Sequence, residues 1–204
     1  MKVLCACEES QAVCIAFREK GHEAYSCDIE PCSGGHPEWH LQQDVLPLLK
    51  EKWDMIIAFP PCTYLSNAGA RFLYPNGVLN EERLKKGLDG KKFFMEFYNA
   101  DCPMIAIENP TPSKIYELPK HNQSIQPWMF GHPFKKRTNL WLKGLPNLIP
   151  TNIIDCDEAE STKIAGNWFN RGGKDRQKNR AKTFQGIARA MAAQWGSQEA
   201  ANDE

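Results

Sequence analysis

Asp54-Met55-Ile56-Ile57-Ala58-Phe59-Pro60-Pro61-Cys62 is a short apolar run that ends in two prolines and presents a cysteine just beyond them. The run predicts a buried strand. Proline fixes φ and has no N–H to donate, so a central ladder cannot continue through Pro60 and Pro61. Cys62 therefore falls in a stiff loop at the carboxyl end of a strand, the edge at which open α/β sheets bind ligands. A thiol in that position is a candidate nucleophile.

Upstream, residues 2–7 read as a first strand. Ser10 is placed to cap a helix over residues 11–20, with Val13, Ile15, Ala16 and Phe17 apolar and Gly21 at its end. A second strand over residues 23–27 finishes at Asp28. A strand–helix–strand unit of about thirty residues, with an acid closing the second strand, opens nucleotide-binding α/β folds, and that acid can accept from ribose hydroxyls. The glycine-rich turn of such folds is missing, its place taken by Cys5-Ala6-Cys7-Glu8-Glu9-Ser10. Residues 31–43 read as an irregular loop. Cys27, Cys32, His36 and His40 invite a zinc site, but only three residues separate Cys32 from His36, and no metal is expected. Asp44 either caps a short helix over residues 45–49 or places a carboxylate near an adenine amino group.

Downstream, residues 63–71 form a loop of polar and small residues leading to the turn Pro75-Asn76-Gly77. Loops of this length on a working edge tend to be functional. Residues 80–100 predict a helix with Phe93, Phe94 and Phe97 inward. Met104-Ile105-Ala106-Ile107 is another buried strand, and Glu108-Asn109-Pro110 ends it by the device used at Cys62. Strands are expected over 125–130 and 138–142, joined by Gly131-His132-Pro133 and the basic run Lys135-Lys136-Arg137. Residues 144–180 have little periodicity and pass from an acidic cluster to a basic stretch containing Arg176 and Arg180, where phosphate binding competes with a solvated loop. Thr183 is placed to cap a final helix over 184–195, with Gly196 stopping it and a disordered tail over 197–204.

At 204 residues, with 42% hydrophobic and 25% charged residues, the chain fits one soluble domain, residues 1–196, with its own core. Basic and acidic residues number 25 each, so a nucleic-acid partner has to be met by a local patch. No apolar run is long enough to span a bilayer. The eight cysteines suggest small apolar side chains in a reducing cytoplasm, not a disulfide framework. The expected fold class is a single Rossmann-like α/β domain with a mostly parallel sheet.

If Cys62 and Glu108 face one pocket beside a nucleoside-bearing cofactor, a pyrimidine is the electrophile that needs both. Thiolate adds to ring carbon 6, the carboxyl group stabilises charge at ring nitrogen 3 and the exocyclic amine, and carbon 5 becomes nucleophilic toward an electrophilic methyl group.

Phe59-Pro60-Pro61-Cys62, followed about forty-five residues later by Ile107-Glu108-Asn109-Pro110, resembles the DNA (cytosine-5) methyltransferases. The likeness is greatest to the short, phage-type members, in Cys7-Glu8-Glu9-Ser10-Gln11, in the loop Ser33-Gly34-Gly35-His36-Pro37-Glu38-Trp39, and in the ending that starts Thr183-Phe184-Gln185-Gly186. The resemblance implies an S-adenosylmethionine-dependent enzyme with Cys62 as nucleophile and Glu108 as its carboxyl group, and with Arg137 or Lys136 where the family's arginine meets the target base. It implies that the cofactor's methionine end lies against the turn over residues 5–11 and the helix N-terminus. Cofactor contacts are then expected from Cys7, Glu8, Ser10, Gln11, Asp28, Ile29, Asp44 and Pro60. Substrate contacts are expected from Pro61, Ser66, Asn109, Lys136, Arg176 and Arg180. The partner is DNA with its cytosine flipped out, because the ring atoms are unreachable in the stack.

Three features depart from the family pattern. The Phe-x-Gly-x-Gly turn is absent, Thr63 and Pro110 follow the two motifs where Gln and Val are usual, and residues 142–182 stand where the family carries a large recognition domain. Recognition is thus expected to be loose, confined to a very short site, or supplied by a dimer or partner protein. Two other readings stay open: an amino-methyltransferase, disfavoured by Phe59 and Cys62, and a non-catalytic module that binds nucleic acid or cofactor.

Overall fold

The computed structural model describes residues 1–157, 159–161 and 181–197. Strands β1 (Lys2–Ala6), β2 (Glu23–Asp28), β3 (His40–Gln42), β4 (Met55–Ala58), β5 (Met104–Asn109), β6 (Gln123–Ile125) and β8 (Thr138–Lys143) form one sheet in the order β3-β2-β1-β4-β5-β8-β6. Every adjacent pair from β3 to β5 is parallel, and β8 runs antiparallel to both of its neighbours. The expected mostly parallel α/β sheet is therefore present. A separate pair joins β7 (Phe134–Lys135) to β9 (Glu160–Ser161).

Alternation along the strands divides the core into two layers. On one face Val3, Cys5, Met55, Ile57, Met104 and Ala106 pack against α1 (Ala12–Glu19) and α3 (Gln185–Trp195). On the other, Leu4, Ile56, Ile105 and Ile107 pack against α2 (Glu81–Tyr98), which contributes Phe94 and Phe97. The inward reading of these phenylalanines holds, although Phe93 is only half-buried. Runs buried on both faces read as continuous hydrophobics, which is why β1, β4 and β5 stand out in the sequence. The buried indoles of Trp53, Trp141 and Trp195 donate to the carbonyls of Leu48, Pro119 and Pro146. The segment after β8 is tied to the sheet by Gln123, whose amide exchanges two hydrogen bonds with Leu148 (2.7 and 2.8 Å).

Four expectations need correction. The loop over 31–43 contains the edge strand β3, held in parallel register on Ser26–Asp28. The strand expected over 125–130 is β6 followed by a 3-10 turn, Pro127–Met129, because Pro127 has no N–H for a ladder. β5 runs through Glu108 and Asn109, which pair with Leu140 and Asn139 of β8. Thr183 does not cap α3, which makes no side-chain cap bond at Phe184. His132 serves that end instead, its Nε2 accepting from the Gly186 N–H at 2.9 Å. Residue 186 has to be glycine there, because a Cβ would run into the Phe130 carbonyl oxygen. Burial, with Arg189 nearby, holds the His132 pKa below its usual value, which keeps that nitrogen an acceptor.

Among the described residues no helix is long and apolar enough to cross a membrane.

Candidate active site

The strand order reverses between β1 and β4, so the loops leaving these strands diverge and open a crevice at their carboxyl ends. A cleft lies there, lined by Cys7, Glu8, Glu9, Ser10 and Phe59 together with Ala181, Lys182 and Thr183.

The turn after β1 is made without glycine. Cys7 and Gln11 both adopt left-handed φ values, 58° and 59°, at a cost of roughly 1–2 kcal/mol each. Glu8 offsets this from beneath α1. Its two carboxyl oxygens accept from the N–H groups of Val13 (2.6 Å) and Cys14 (3.1 Å). Hydrogen bonds of this kind contribute about 0.5–1.5 kcal/mol each. The helix cap is therefore Glu8 and not Ser10, whose hydroxyl lies 3.5 Å from the Ala12 N–H. Gln11 is fully buried. Its amide donates to the His36 carbonyl (2.8 Å) and Ser26 Oγ (3.2 Å) and accepts from the His36 N–H (3.1 Å). The 33–36 loop thus clasps the turn, and Ser33 N–H donates to the Glu9 carbonyl at 2.8 Å. Gly34 seats this clasp, since a Cβ there would stand 2.6 Å from Gln11 Cβ.

Glu8 and Gln11, expected as cofactor contacts, thus have their polar groups committed to the turn itself. The N-terminus of α1, expected to meet the cofactor's methionine end, is occupied by the Glu8 carboxyl. Burial pushes that carboxyl up to about 8 against the opposing pull of the two helix N–H groups. An unfolded glutamate loses its proton near ~4.3. Between those values the native state binds the extra proton, so stability is expected to fall as pH rises from about 5 to about 8, on the order of a few kcal/mol. Urea midpoints at the two pH values measure the slope, and Glu8→Gln should flatten most of it. Equal wild-type midpoints would mean that Glu8 is ionised on the helix at both. The Cys7 thiol is raised by burial and by nearby Asp28, which holds it protonated.

At the end of β2, Asp28 accepts from the Glu30 N–H at 3.0 Å, and Ile29 stands 73% exposed beside it. Asp44, also exposed, accepts from the Leu46 N–H at 3.0 Å at the start of a 3-10 turn, Leu46–Lys50. Three of the possible zinc ligands make other contacts. Cys27 Sγ contacts the Gln43 carbonyl, His40 bridges Ser26 Oγ and the Glu30 carbonyl, and His36 stacks on Trp39. Among the described residues the one grouping of three such side chains is the exposed Asp155, Cys156 and Asp157.

The ends of β4 and β5 are locked together. Beyond the last paired residues, Ala58 and Ile107, the buried Asn109 amide donates to the Pro60 carbonyl at 2.9 Å. The chain after Cys62 turns at once, with the Leu65 and Ser66 N–H groups donating to the Cys62 carbonyl at 3.1 and 2.9 Å. It then pairs with the chain after β5: Ser66 bridges Pro112, Asn67 N–H donates to the Thr111 carbonyl, and Ser113 N–H to the Leu65 carbonyl. Pro61 is exposed and Cys62 half-buried on this clamped turn.

Strand alternation puts Glu108 on the α1/α3 face of the sheet. There it lines a second pocket with Lys136, Thr138, Pro127 and Ile187, walled by Ala181, Thr183 and Phe184. Ala181 and Thr183 line the first cleft as well, so the two hollows share one wall. The Thr138 hydroxyl donates to the Glu108 carboxyl. Burial raises the Glu108 pKa, and the Lys136 ammonium opposes that rise. Arg137, expected at the target base, donates instead to Ser124 Oγ at 3.2 Å toward the β6 edge. Residues 136 and 138 thus face Glu108, and residue 137 is turned away. Arg176 and Arg180 lie outside the described residues.

Sequence reasoning missed Thr138 and Lys182 as site residues. The first is revealed only by antiparallel register, the second only by the return of α3 across the strand ends. No protein-family model and no curated protein matches this chain.

Proposed function

We propose that this chain transfers a methyl group from S-adenosylmethionine to carbon 5 of cytosine in DNA through a covalent adduct with Cys62. The observation that carries this reading is the Asn109–Pro60 bond, which couples the strand end bearing Glu108 to the turn bearing Cys62. Precise placement of nucleophile and carboxyl group across one base requires such coupling.

The cleft at the strand reversal fits the cofactor chemically. It offers Glu9 and Lys182, with the hydroxyls of Ser10 and Thr183, to the two opposite charges of an amino-acid end. Asp28 offers an acceptor for ribose, and the exposed Ile29 an apolar surface for a flat base. When bound, S-adenosylmethionine supplies the electrophilic methyl that carbon 5 takes up.

The chain's own residues carry the rest. Cys62 adds as thiolate to carbon 6. Glu108, whose pKa burial raises, donates to ring nitrogen 3 in its protonated form and stabilises the negative charge that develops there. Loss of the carbon-5 proton to solvent water then expels the Cys62 thiolate, ring nitrogen 3 returns its proton to Glu108, and the ring is restored. Lys136 adds positive charge at the same pocket.

Trapping tests the reading. With cofactor present, DNA bearing 5-fluorocytosine is expected to give a denaturant-resistant adduct, because fluorine does not leave carbon 5 as a proton does. Cofactor binding without any adduct would favour the amino-methyltransferase or non-catalytic readings.

A further inference from the structure

The 63–80 excursion between β4 and α2 is anchored at two points and presents aromatics at both. Leu65 and Leu73 are buried. Tyr64 flanks the first, and Phe72 and Tyr74 flank the second, with Phe72 51% and Tyr74 50% exposed. Arg83, from the first turn of α2, reaches under the loop. Its guanidinium donates to the Thr63 carbonyl at 3.2 Å and lies 5.1 Å from the Tyr64 ring and 5.4 Å from that of Phe72. Arg71 lies 4.6 Å from the outer Phe72 ring, and Lys86 5.7 Å from Tyr64. In a chain with no net charge, residues 63–92 hold six basic side chains against three acidic ones.

The buried leucines anchor the excursion, and the rings beside them stand outward. Rigid rings interleaved with guanidinium and ammonium groups are the chemistry that stacks unpaired bases while neutralising the backbone between them. The excursion starts one residue after Cys62 and is pinned to the chain after β5, so a strand lying on it passes the candidate nucleophile. We propose that this surface binds single-stranded nucleic acid by stacking bases on Phe72 and Tyr74, so that the target cytosine arrives already unpaired. The proposal rests on the reading of Cys62 as the nucleophile for its placement, but not for its binding.

The test uses the full chain and a labelled 16-nucleotide DNA with one central 5-fluorocytosine, alone or annealed to its complement. Binding is read by anisotropy at one fixed salt concentration, and adducts by denaturing gel. Single strand is expected to bind more tightly than duplex. Phe72→Ala combined with Tyr74→Ala should weaken single-strand binding at least about tenfold. Tyr98→Ala, an exposed aromatic at the far end of α2, should not, and Tyr74→Trp, which keeps a stacking face, should retain affinity. Tighter binding of duplex, or wild-type single-strand affinity in the double variant, would overturn the proposal. Adducts separate it from the reading on which it rests. If the double variant alone loses single-strand binding and no protein forms an adduct, the surface stands and the nucleophile does not. If adducts form on duplex alone, with the double variant unaffected, the reverse holds.

Discussion

Cys62→Ser is expected to lower methyl transfer by at least about a thousandfold and to abolish the adduct with 5-fluorocytosine DNA. A serine hydroxyl is a far poorer nucleophile near neutral pH, whereas a thiol, ordinarily near ~8.5, keeps a few per cent of a very nucleophilic anion. Folding should be nearly untouched. The turn after Pro61 is built on the Cys62 carbonyl and on pairing with residues 111–113, and the side chain is only half-buried. Such a substitution usually changes stability by less than about 0.5 kcal/mol. The cleft proposed for the cofactor is lined by Phe59 and not by Cys62, so cofactor affinity should also persist. Methyl incorporation from labelled cofactor, measured beside calorimetric binding, separates these effects. A serine variant that still transfers methyl would move the chemistry away from this thiol altogether.

The site was legible in the sequence wherever a single strand end determines it. Pro60-Pro61 and Pro110 stop apolar runs and so mark the carboxyl ends of β4 and β5, although Glu108 stays within β5, paired with Leu140, and Cys62 lines neither hollow. The first turn was legible only in outline. Glu8 caps α1 from outside the usual cap position, across a residue in a left-handed conformation, a geometry that residue preferences do not encode. Gln11 acquires its role only when the 33–36 loop closes over it, and the glycine that permits close approach, Gly34, belongs to that loop and not to the turn. β3 escaped notice because three residues in a stretch rich in glycine and proline carry no periodicity, and their pairing depends on β2. Whether Lys136 or Arg137 reaches Glu108 depends on how the chain enters β8, which a run of three basic residues does not reveal.

Glu108 provides the second large effect. Glu108→Gln is expected to lower methyl transfer by about 10²–10³, as removal of a single stabilising group at a developing charge does, while leaving single-strand binding unchanged. Glutamine can still present an N–H to ring nitrogen 3, but it cannot supply a proton there. Glu108→Ala should cost more, since it also strands the Thr138 hydroxyl that donates to the carboxyl. The pH profile identifies the mechanism. Burial raises the Glu108 pKa, so the protonated, donating form persists above the ordinary carboxylate range and activity declines as pH climbs through the raised value. Lys136 opposes that rise by favouring the ionised form. Lys136→Ala should therefore move this decline to higher pH while reducing the maximal rate. Arg137→Ala, whose guanidinium faces Ser124, should leave it in place. Profiles of methyl transfer for the three variants, at saturating cofactor, are the measurement. A decline that persists unchanged in Glu108→Gln would assign it to another group, and a shift in Arg137→Ala as large as that in Lys136→Ala would mean that both cations reach the base during turnover.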